Sequence, residues 1–411
     1  MKATLLSTLL VAMLFYSCQK EIVFPVTTPP ATTTISLQYQ PLHNLSTKFE
    51  LIITDSVHTV LLDSILNVNE THTLNFPEGP YSVTTIEYDD AEKKYKSKTY
   101  LNATATNWVI RPVDDKQNLG SSNISGGADA KLMYQNVPAF TGFAFYQGSQ
   151  FQPGSTVSVT PIASQKKIEV SYKRLDQYIA YLMIPSLGLY KIHKTNSIND
   201  IADCAQMDSV KRFNYTKPSN LVDSYINLYG FLDANNYSNG IQLFRTDPQI
   251  FGTQYDIVYP QKGISQYFFY GLFSDDAGGQ FIYNSLADAI PQSLQFIDNS
   301  YFRIVSNQNN DFQVEFLKET PGYYSIAHSS ANLSHVIYSA PAETSVNPSQ
   351  LVSVLSESKS LKGENLADYK ISRFGYHTTD DYSFAEYFDF IYNPSSADGK
   401  INLGRTYTLP L

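Results

Sequence analysis

The amino-acid sequence predicts an all-β, β-dominated fold: an N-terminal β-sandwich followed by a larger β-rich C-terminal region with one or two short helices. Three observations carry that expectation. Tyrosine (31) and phenylalanine (24) are abundant against a single tryptophan, and aromatic side chains pack well on pleated, half-buried surfaces. Short β-propensity runs recur in the first hundred residues at roughly 8 to 12 residue spacing, the pattern of sandwiches. Turn formers such as Pro77-Glu78-Gly79-Pro80 and Asp89-Asp90 stand between the runs.

Composition sets the wider bounds. The 411 residues leave room for two or three domains of about 100 to 200 residues each. Hydrophobic residues make up 43% and charged residues 16%, a balance of folded chains rather than disordered ones. The net charge of −9, without any run of five Lys or Arg, provides no footprint for a phosphate backbone, so nucleic acid is not an expected partner. The most basic stretch is Lys93, Lys94, Lys96 and Lys98. Its last three members alternate and would share one face of a strand, which reads as an edge strand guarded by lysines rather than an anion-binding stripe.

The chain opens with Lys2 and an apolar run from Leu5 to Tyr16, too short for a permanent membrane span of about 20 residues and right for a signal peptide. Ser17, Cys18 and the polar Gln19-Lys20-Glu21 follow. The arrangement resembles the lipobox of bacterial lipoproteins, with Phe15 and Tyr16 where that family prefers Leu and a small residue, a looseness found among the Bacteroidota. The resemblance implies a signal peptide over residues 1–17, a lipidated Cys18, and an anchor in the outer membrane on its surface or periplasmic face. An ordinary secretory signal cut elsewhere is the alternative. Cys204 is the only other cysteine, so acylation of Cys18 would leave no intramolecular disulfide.

Pro25, Pro29 and Pro30 make residues 18–33 an extended tether after the cysteine. Strands are expected at Ile35–Gln40, Phe49–Thr54, Val60–Leu66, His72–Phe76, Tyr81–Tyr88 and Tyr95–Leu101. The stretch Phe76-Pro77-Glu78-Gly79-Pro80-Tyr81-Ser82-Val83 resembles the Pro-x-Gly-x-Tyr-x-Val segment of immunoglobulin-like and transthyretin-like modules, which implies a sandwich spacer over residues 34–112. Glycine, serine and aspartate crowd residues 113–130, a linker. Residues 131–411 read as β-rich, with a candidate split near 217 at Lys217-Pro218-Ser219. Asn239-Gly240 and Asp398-Gly399 suit tight hairpin turns. Helices are expected from Asn199 to about Lys211, and after Asn347-Pro348 with Leu351, Val352, Val354 and Leu355.

Catalytic signatures are sparse. The sequence holds no His-Glu-x-x-His, Gly-x-Ser-x-Gly, Walker-type glycine loop or Cys-x-x-Cys, and no cofactor is implied. Ser164–Lys167 and Ser356–Lys359 match Ser-x-x-Lys without its companion motifs. Cys204 is expected as a buried small hydrophobe on a helix beside Ile201. His193, His328, His335 and His377 lack ligand spacing and are expected at the surface or as caps. Asp275-Asp276 before Gly278-Gly279, and Asp380-Asp381 before Tyr382, read first as turn residues; Asp275 and Asp276 are also weak calcium candidates. Aromatic clusters at Tyr267–Tyr270, Phe143–Tyr146, Tyr323-Tyr324 and Tyr382–Tyr392 could face sugars, but strand alternation sends half of each into a core.

These features lean towards a non-enzymatic, lipid-anchored binding module with a glycan or cell-surface protein as ligand. Its organisation resembles accessory lipoproteins of Bacteroidota glycan-uptake systems. A fimbrillin-like adhesion subunit, and a glycoside hydrolase or other hydrolase without a local motif, are the alternatives.

Overall fold

The computed structural model describes residues 32–38, 47–68, 70–77, 79–103, 128–148, 157–159, 166–174, 178–234, 240–246, 254–366, 368–379, 383–387 and 403–411. The N-terminal strands are Thr32–Gln38 (β1), Lys48–Thr54 (β2), Val60–Asn67 (β3), Thr71–Pro77 (β4), Tyr81–Asp89 (β5) and Lys94–Ala103 (β6). They follow, within a few residues at each end, the six runs expected from composition and turns. Next come Ala128–Gln135 (β7), Ala144–Gly148 (β8), Val157–Val159 (β9), Ile168–Arg174 (β10), Tyr178–Ile184 (β11), Leu189–Thr195 (β12), Asn199–Asp203 (β13) and Asp208–Thr216 (β14). Leu221–Phe231 (β15), Ile241–Arg245 (β16), Gln254–Pro260 (β17), Gln266–Asp275 (β18), Gln280–Ala287 (β19), Phe302–Gln308 (β20) and Asp311–Phe316 (β21) continue the chain. The last elements are Tyr323–Ser329 (β22), Leu333–Ser339 (β23), Ser345–Val346 (β24), the helix Pro348–Glu357 (α1), Lys370–Thr379 (β25) and Leu403–Pro410 (β26).

The fold is all-β, as composition predicts. One sheet holds twelve strands in the order β16-β15-β18-β19-β26-β25-β22-β23-β6-β5-β2-β3. Every neighbour pair in it is antiparallel except β23 with β6, which run parallel in register from Leu333↔Tyr95 to Tyr338↔Tyr100. A six-stranded sheet (β17-β14-β12-β11-β8-β9) and a three-stranded sheet (β10-β7-β13) complete the larger layers.

Alternation builds the cores. In β18 the burial pattern is strictly alternating, with Tyr267, Phe269 and Phe273 on the buried face. They join Ile226, Leu228, Ile257 and Tyr181 in one cluster that cements the twelve-stranded sheet to the six-stranded sheet. The far side of β11 supplies Ala180, Leu182 and Ile184 to a second cluster against Leu132, Val170 and Ala202 of the three-stranded sheet. β11 is therefore buried along its whole length, which explains its unbroken apolar run. On the opposite face of the N-terminal strands, Phe49, Leu51, Val83 and Tyr100 pack with Phe76 of β4.

Helix α1 starts where Asn347 caps it, its side chain accepting from the Ser349 N–H at 3.2 Å with Pro348 in the first turn. Leu355 lies with Ile52, Ile86 and Leu333 over the parallel joint. The Glu50 carboxylate accepts from the Lys359 and Ser360 amides at 2.6 and 2.7 Å, clamping the end of the helix to β2.

Several expectations are corrected. The span Asn199–Lys211 is not a helix but β13 and the start of β14. β13 pairs parallel to β7, and only Ala202 of its five residues is buried, a period-two pattern whose tertiary pairing outweighs local helix propensity. The lysine-bearing β6 is not an edge, since it lies between β5 and β23. Its charge is instead met by the β5–β6 turn, where Lys96 pairs with Asp89 at 2.6 Å and Glu92 at 2.9 Å. β15 and β16 do form a hairpin, but Gly230 faces Ile241, so the connection is longer than a two-residue turn. Asn239, Asp398 and Gly399 lie outside the described residues.

Phe374 is fully buried against Phe302, Phe312 and Tyr324. Phe374→Ala is expected to cost about 3–5 kcal/mol, read as a lowered denaturation midpoint with an unchanged urea slope.

Candidate functional site

Asp275 closes β18, and the tight β18–β19 connection through Gly278, with φ +81, brings the chain back beneath it. The Asp275 Oδ1 accepts from the Ala277 and Gly279 amides at 3.0 and 2.7 Å, and Oδ2 accepts from the Tyr407 hydroxyl at 2.7 Å. Burial and this carboxylate raise the Tyr407 pKa, so the phenol stays a donor. Asp276 follows in the turn and is exposed, its amide donating to the Asn220 carbonyl at 3.1 Å. The cavity beside Asp275 measures about 170 Å³ and is walled by Phe273, Phe281, Phe296 and Tyr407, smaller than the roughly 300–1,000 Å³ of typical ligand pockets. Among the described residues no three His, Cys, Asp or Glu side chains gather around a point where a metal ion could sit.

The larger opening lies elsewhere. A groove of about 500 Å³ runs between β12 and the loop joining β17 to β18, lined by Lys191, Ile192, Lys194, Lys262 and Ile264 among others. Tyr190 forms its floor and ties the loop down: its hydroxyl donates to the Lys262 carbonyl at 3.0 Å and accepts from the Lys262 amide at 2.9 Å. Gly263 adopts φ +79, which lets the loop turn close over Ile192. Lys262 pairs with Asp208 at 3.0 Å, both side chains being well exposed, an interaction worth at most about 1 kcal/mol. Nothing in the local spelling around Lys191, Lys194 and Lys262 distinguishes them from other surface lysines; only the approach of the 261–265 loop to β12 makes them a group.

The histidines overturn the expectation of surface and capping roles. His328 and His335 face each other across β22 and β23 and are both buried. His335 shares hydrogen bonds with Thr99 at 2.8 Å and Tyr369 at 2.5 Å, and Thr99 continues to Thr84 at 2.7 Å. His328 stacks on Tyr369 at 4.7 Å, and neither of its ring nitrogens has a partner of hydrogen-bond geometry. Burial pushes its pKa down to about 4, an effect the Ile326 backbone offsets only in part; burial and the nearby His328 hold His335 well below the usual imidazole value. His377 bonds Ser325 and Thr406 and stacks on Tyr323, while His193 pairs with Asp200 at 2.9 Å. These imidazoles are structural members of sheets, where period-two burial decides their place.

The remaining candidates resolve locally. Cys204 is buried just beyond β13 rather than on a helix, and burial raises its thiol to about 11, an unreactive state. Ser356 is an exposed residue of α1 whose hydroxyl donates to the Ser353 carbonyl at 2.9 Å, while Lys359 pairs with Asp63 at 3.5 Å. Tyr323 and Tyr324 are both buried. Cys18, Ser164, Asp380 and Asp381 lie outside the described residues.

No protein-family model matches the chain, and no curated protein matches it. Similar solved structures include a DUF3823 family protein from Bacteroides ovatus, 14% identical over 39% of this chain and 100% of that chain, with a TM-score of 0.14. The Bacillus anthracis TIE protein is 12% identical over 59% of this chain and 45% of its own, with a TM-score of 0.14. The pilus adhesin SpaC from Lactobacillus rhamnosus GG is 8% identical over 75% of this chain and 44% of its own, with a TM-score of 0.12. Likenesses of this size assign neither fold nor activity to this chain.

Two measurements check the site assignments. A buried histidine with a lowered pKa stabilises the fold fully above its unfolded value near 6.5, and that contribution is lost as pH falls towards 4. His328 alone should account for a loss of about 3 kcal/mol over that window, seen as a falling denaturant midpoint, and His328→Phe should flatten the decline. Asp275→Ala should cost about 2–4 kcal/mol through three lost hydrogen bonds, equally with and without millimolar calcium; a deficit seen only in calcium would reassign the residue as a ligand.

Proposed function

We propose that the protein is a lipid-anchored cell-envelope protein of the Bacteroidota type that presents a recognition surface to a glycan or a cell-surface protein, without catalysis of its own. In this reading residues 1–17 direct export, Cys18 carries the lipid, residues 18–33 form the tether and residues 34–112 an immunoglobulin/transthyretin-like spacer. Residues 113–130 link that spacer to the recognition region, 131–411, at the outer membrane. The observation that carries the anchor is the succession of Lys2, the apolar Leu5–Tyr16 run, Ser17 and Cys18. A lipid anchor suits a chain in which no helix of the described residues is long and apolar enough to cross a membrane. The groove beside β12 supports recognition, being the larger of the two openings described above and the one lined by three lysines.

One observation favours a second reading, an adhesion subunit assembled by strand exchange. β1 is the first described strand, takes in the last two residues of the proposed tether and pairs with β4 alone, over Thr32↔Pro77 to Gln38↔Thr71. Its removal would open the β4 edge to a donor strand. Polymerisation after N-terminal proteolysis would select this reading.

Metabolic labelling with a fatty-acid analogue in a Bacteroidota host tests the anchor. Wild-type protein should take up label and be shaved from intact cells by protease if it faces outward, whereas Cys18→Ala should carry no label. Unlabelled wild-type protein released as a soluble form would refute the proposal.

A further inference from the structure

We infer that the groove beside β12 receives an extended acidic peptide segment of a partner protein, which adds as a strand to the open edge at Lys191–Thr195. The inference rests on the recognition role proposed above and names the partner's chemistry.

Three features of the groove lead there. β14 runs against β12 for only two pairs, Leu189↔Ser209 and Tyr190↔Asp208, before the two diverge. β11 covers the other side of β12 throughout, from Ile184↔Leu189 to Tyr178↔Thr195. Among the described residues, then, no strand lies against Lys191–Thr195 on the groove side. An edge of this kind presents backbone donors and acceptors at the spacing of an incoming strand, and strand addition is the recognition mode that uses them.

Charge then selects the strand. Lys191 and Lys194 are three residues apart and leave an extended backbone on opposite faces, so one cation stands on each side of the open edge. Lys262 stands across the groove on the 261–265 loop. Lys194 is exposed, while Lys191 donates to the Gln206 carbonyl at 3.4 Å and lies within electrostatic reach of Asp203. The exposed Lys262–Asp208 pair can exchange its carboxylate for another at little cost. The chain carries a net charge of −9, so a site with three lysines is a local reversal of the protein's field, and it attracts carboxylates specifically there. A saccharide is the weaker fit: the one aromatic ring of the lining, Tyr190, is 2% exposed and its hydroxyl is held by Lys262, so no platform faces a sugar ring. Lysines also serve to keep strands away from open edges. Here the 261–265 loop packs over one face of β12 through Tyr190 and Ile192 and leaves the backbone edge open, and the lysines would repel basic strands while admitting acidic ones.

The test uses the full chain purified in detergent and panned against a displayed library of random peptides of about ten residues, the upper length of ordinary strands. Enriched peptides should carry Asp or Glu at alternating positions. A synthetic enriched peptide should lose about tenfold or more in affinity against Lys194→Glu, and again against Lys191→Glu. N-methylation of its alternate amides should weaken binding by a similar factor, because strand addition needs those donors. Lys194 is exposed, and circular dichroism would verify that the variants fold. The inference is overturned by enrichment without acidic residues, by affinity indifferent to both lysine reversals or to N-methylation, or by binding of polygalacturonate with no peptide enriched. Absence of any binding would mean that the lysines only guard the edge. None of these outcomes bears on acylation of Cys18, which is read separately by lipid labelling.

Discussion

The parallel pairing of β6 with β23 is the constraint on which the architecture depends. It joins the four N-terminal strands to the eight C-terminal ones across a sequence separation in which Thr99 meets His335. Parallel pairs are stable chiefly where both faces are covered, and here both are. Leu333 packs under α1 with Ile52 and Ile86, while Tyr100 and Tyr338 stack at 4.9 Å on the other face with Tyr323 and Tyr387 close by. The polar thread Thr84–Thr99–His335–Tyr369 runs through the joint. It is satisfied only when the strands are in this register, so it specifies the pairing more than it strengthens it. Burial disfavours the charged forms of His335 and its neighbour His328, so acid weakens the fold at this joint, as it does at His377 of β25.

The abundance of tyrosine follows from layered sheets. A tyrosine ring can fill the core while its hydroxyl reaches the rim and caps a carbonyl that a phenylalanine would leave bare. Tyr324 donates to the Glu343 carbonyl, Tyr376 to that of Glu319, Tyr215 to that of Pro291 and Tyr267 to that of Pro260. Three of these bonds tie a connecting segment to a strand of the core, and that of Tyr267 joins β18 to the end of β17. Loops in a large antiparallel structure carry many backbone groups that no ladder satisfies, and tyrosines at strand ends meet that need without adding charge.

What could be read from the sequence was local. The six N-terminal strands were legible because runs such as Phe49–Thr54 and Tyr81–Tyr88 are bounded by turn residues, and the α1 start because Asn347-Pro348 is a cap followed by apolar spacing. The division of Tyr267–Tyr270 into buried and half-buried residues follows from alternation alone. Pairing partners were not legible. Asn199–Asp203 contains little that excludes a helix, and only the open edge of β7 makes it a strand. The lysines of β6 resemble an edge guard because nothing nearby in sequence announces β23. His328 and His335 look unremarkable as single residues, and their burial depends on a facing register seven residues apart in sequence but set by the β22–β23 hairpin. Asp275 was legible as a turn residue from the glycines that follow it; its bond to Tyr407, from a strand far along the chain, was not.

Sheet edges remain the places where such an architecture must decide between isolation and contact. At one end of the twelve-stranded sheet, β3 exposes Val60, Leu61 and Ile65, yet Asp63 in the middle of the strand turns inward to Lys359, an inward charge that spoils continued pairing. At β12 the arrangement differs in kind. Its cations flank the open backbone rather than interrupt it, and a loop held by Tyr190 packs over one face. An inward charge costs any added strand the same desolvation, whatever its sequence. Flanking lysines instead make the cost depend on the strand's charge. The first device only prevents association; the second discriminates. That difference in electrostatic placement, more than any difference in strand length or hydrophobicity, separates an edge that is merely protected from one that can recognise.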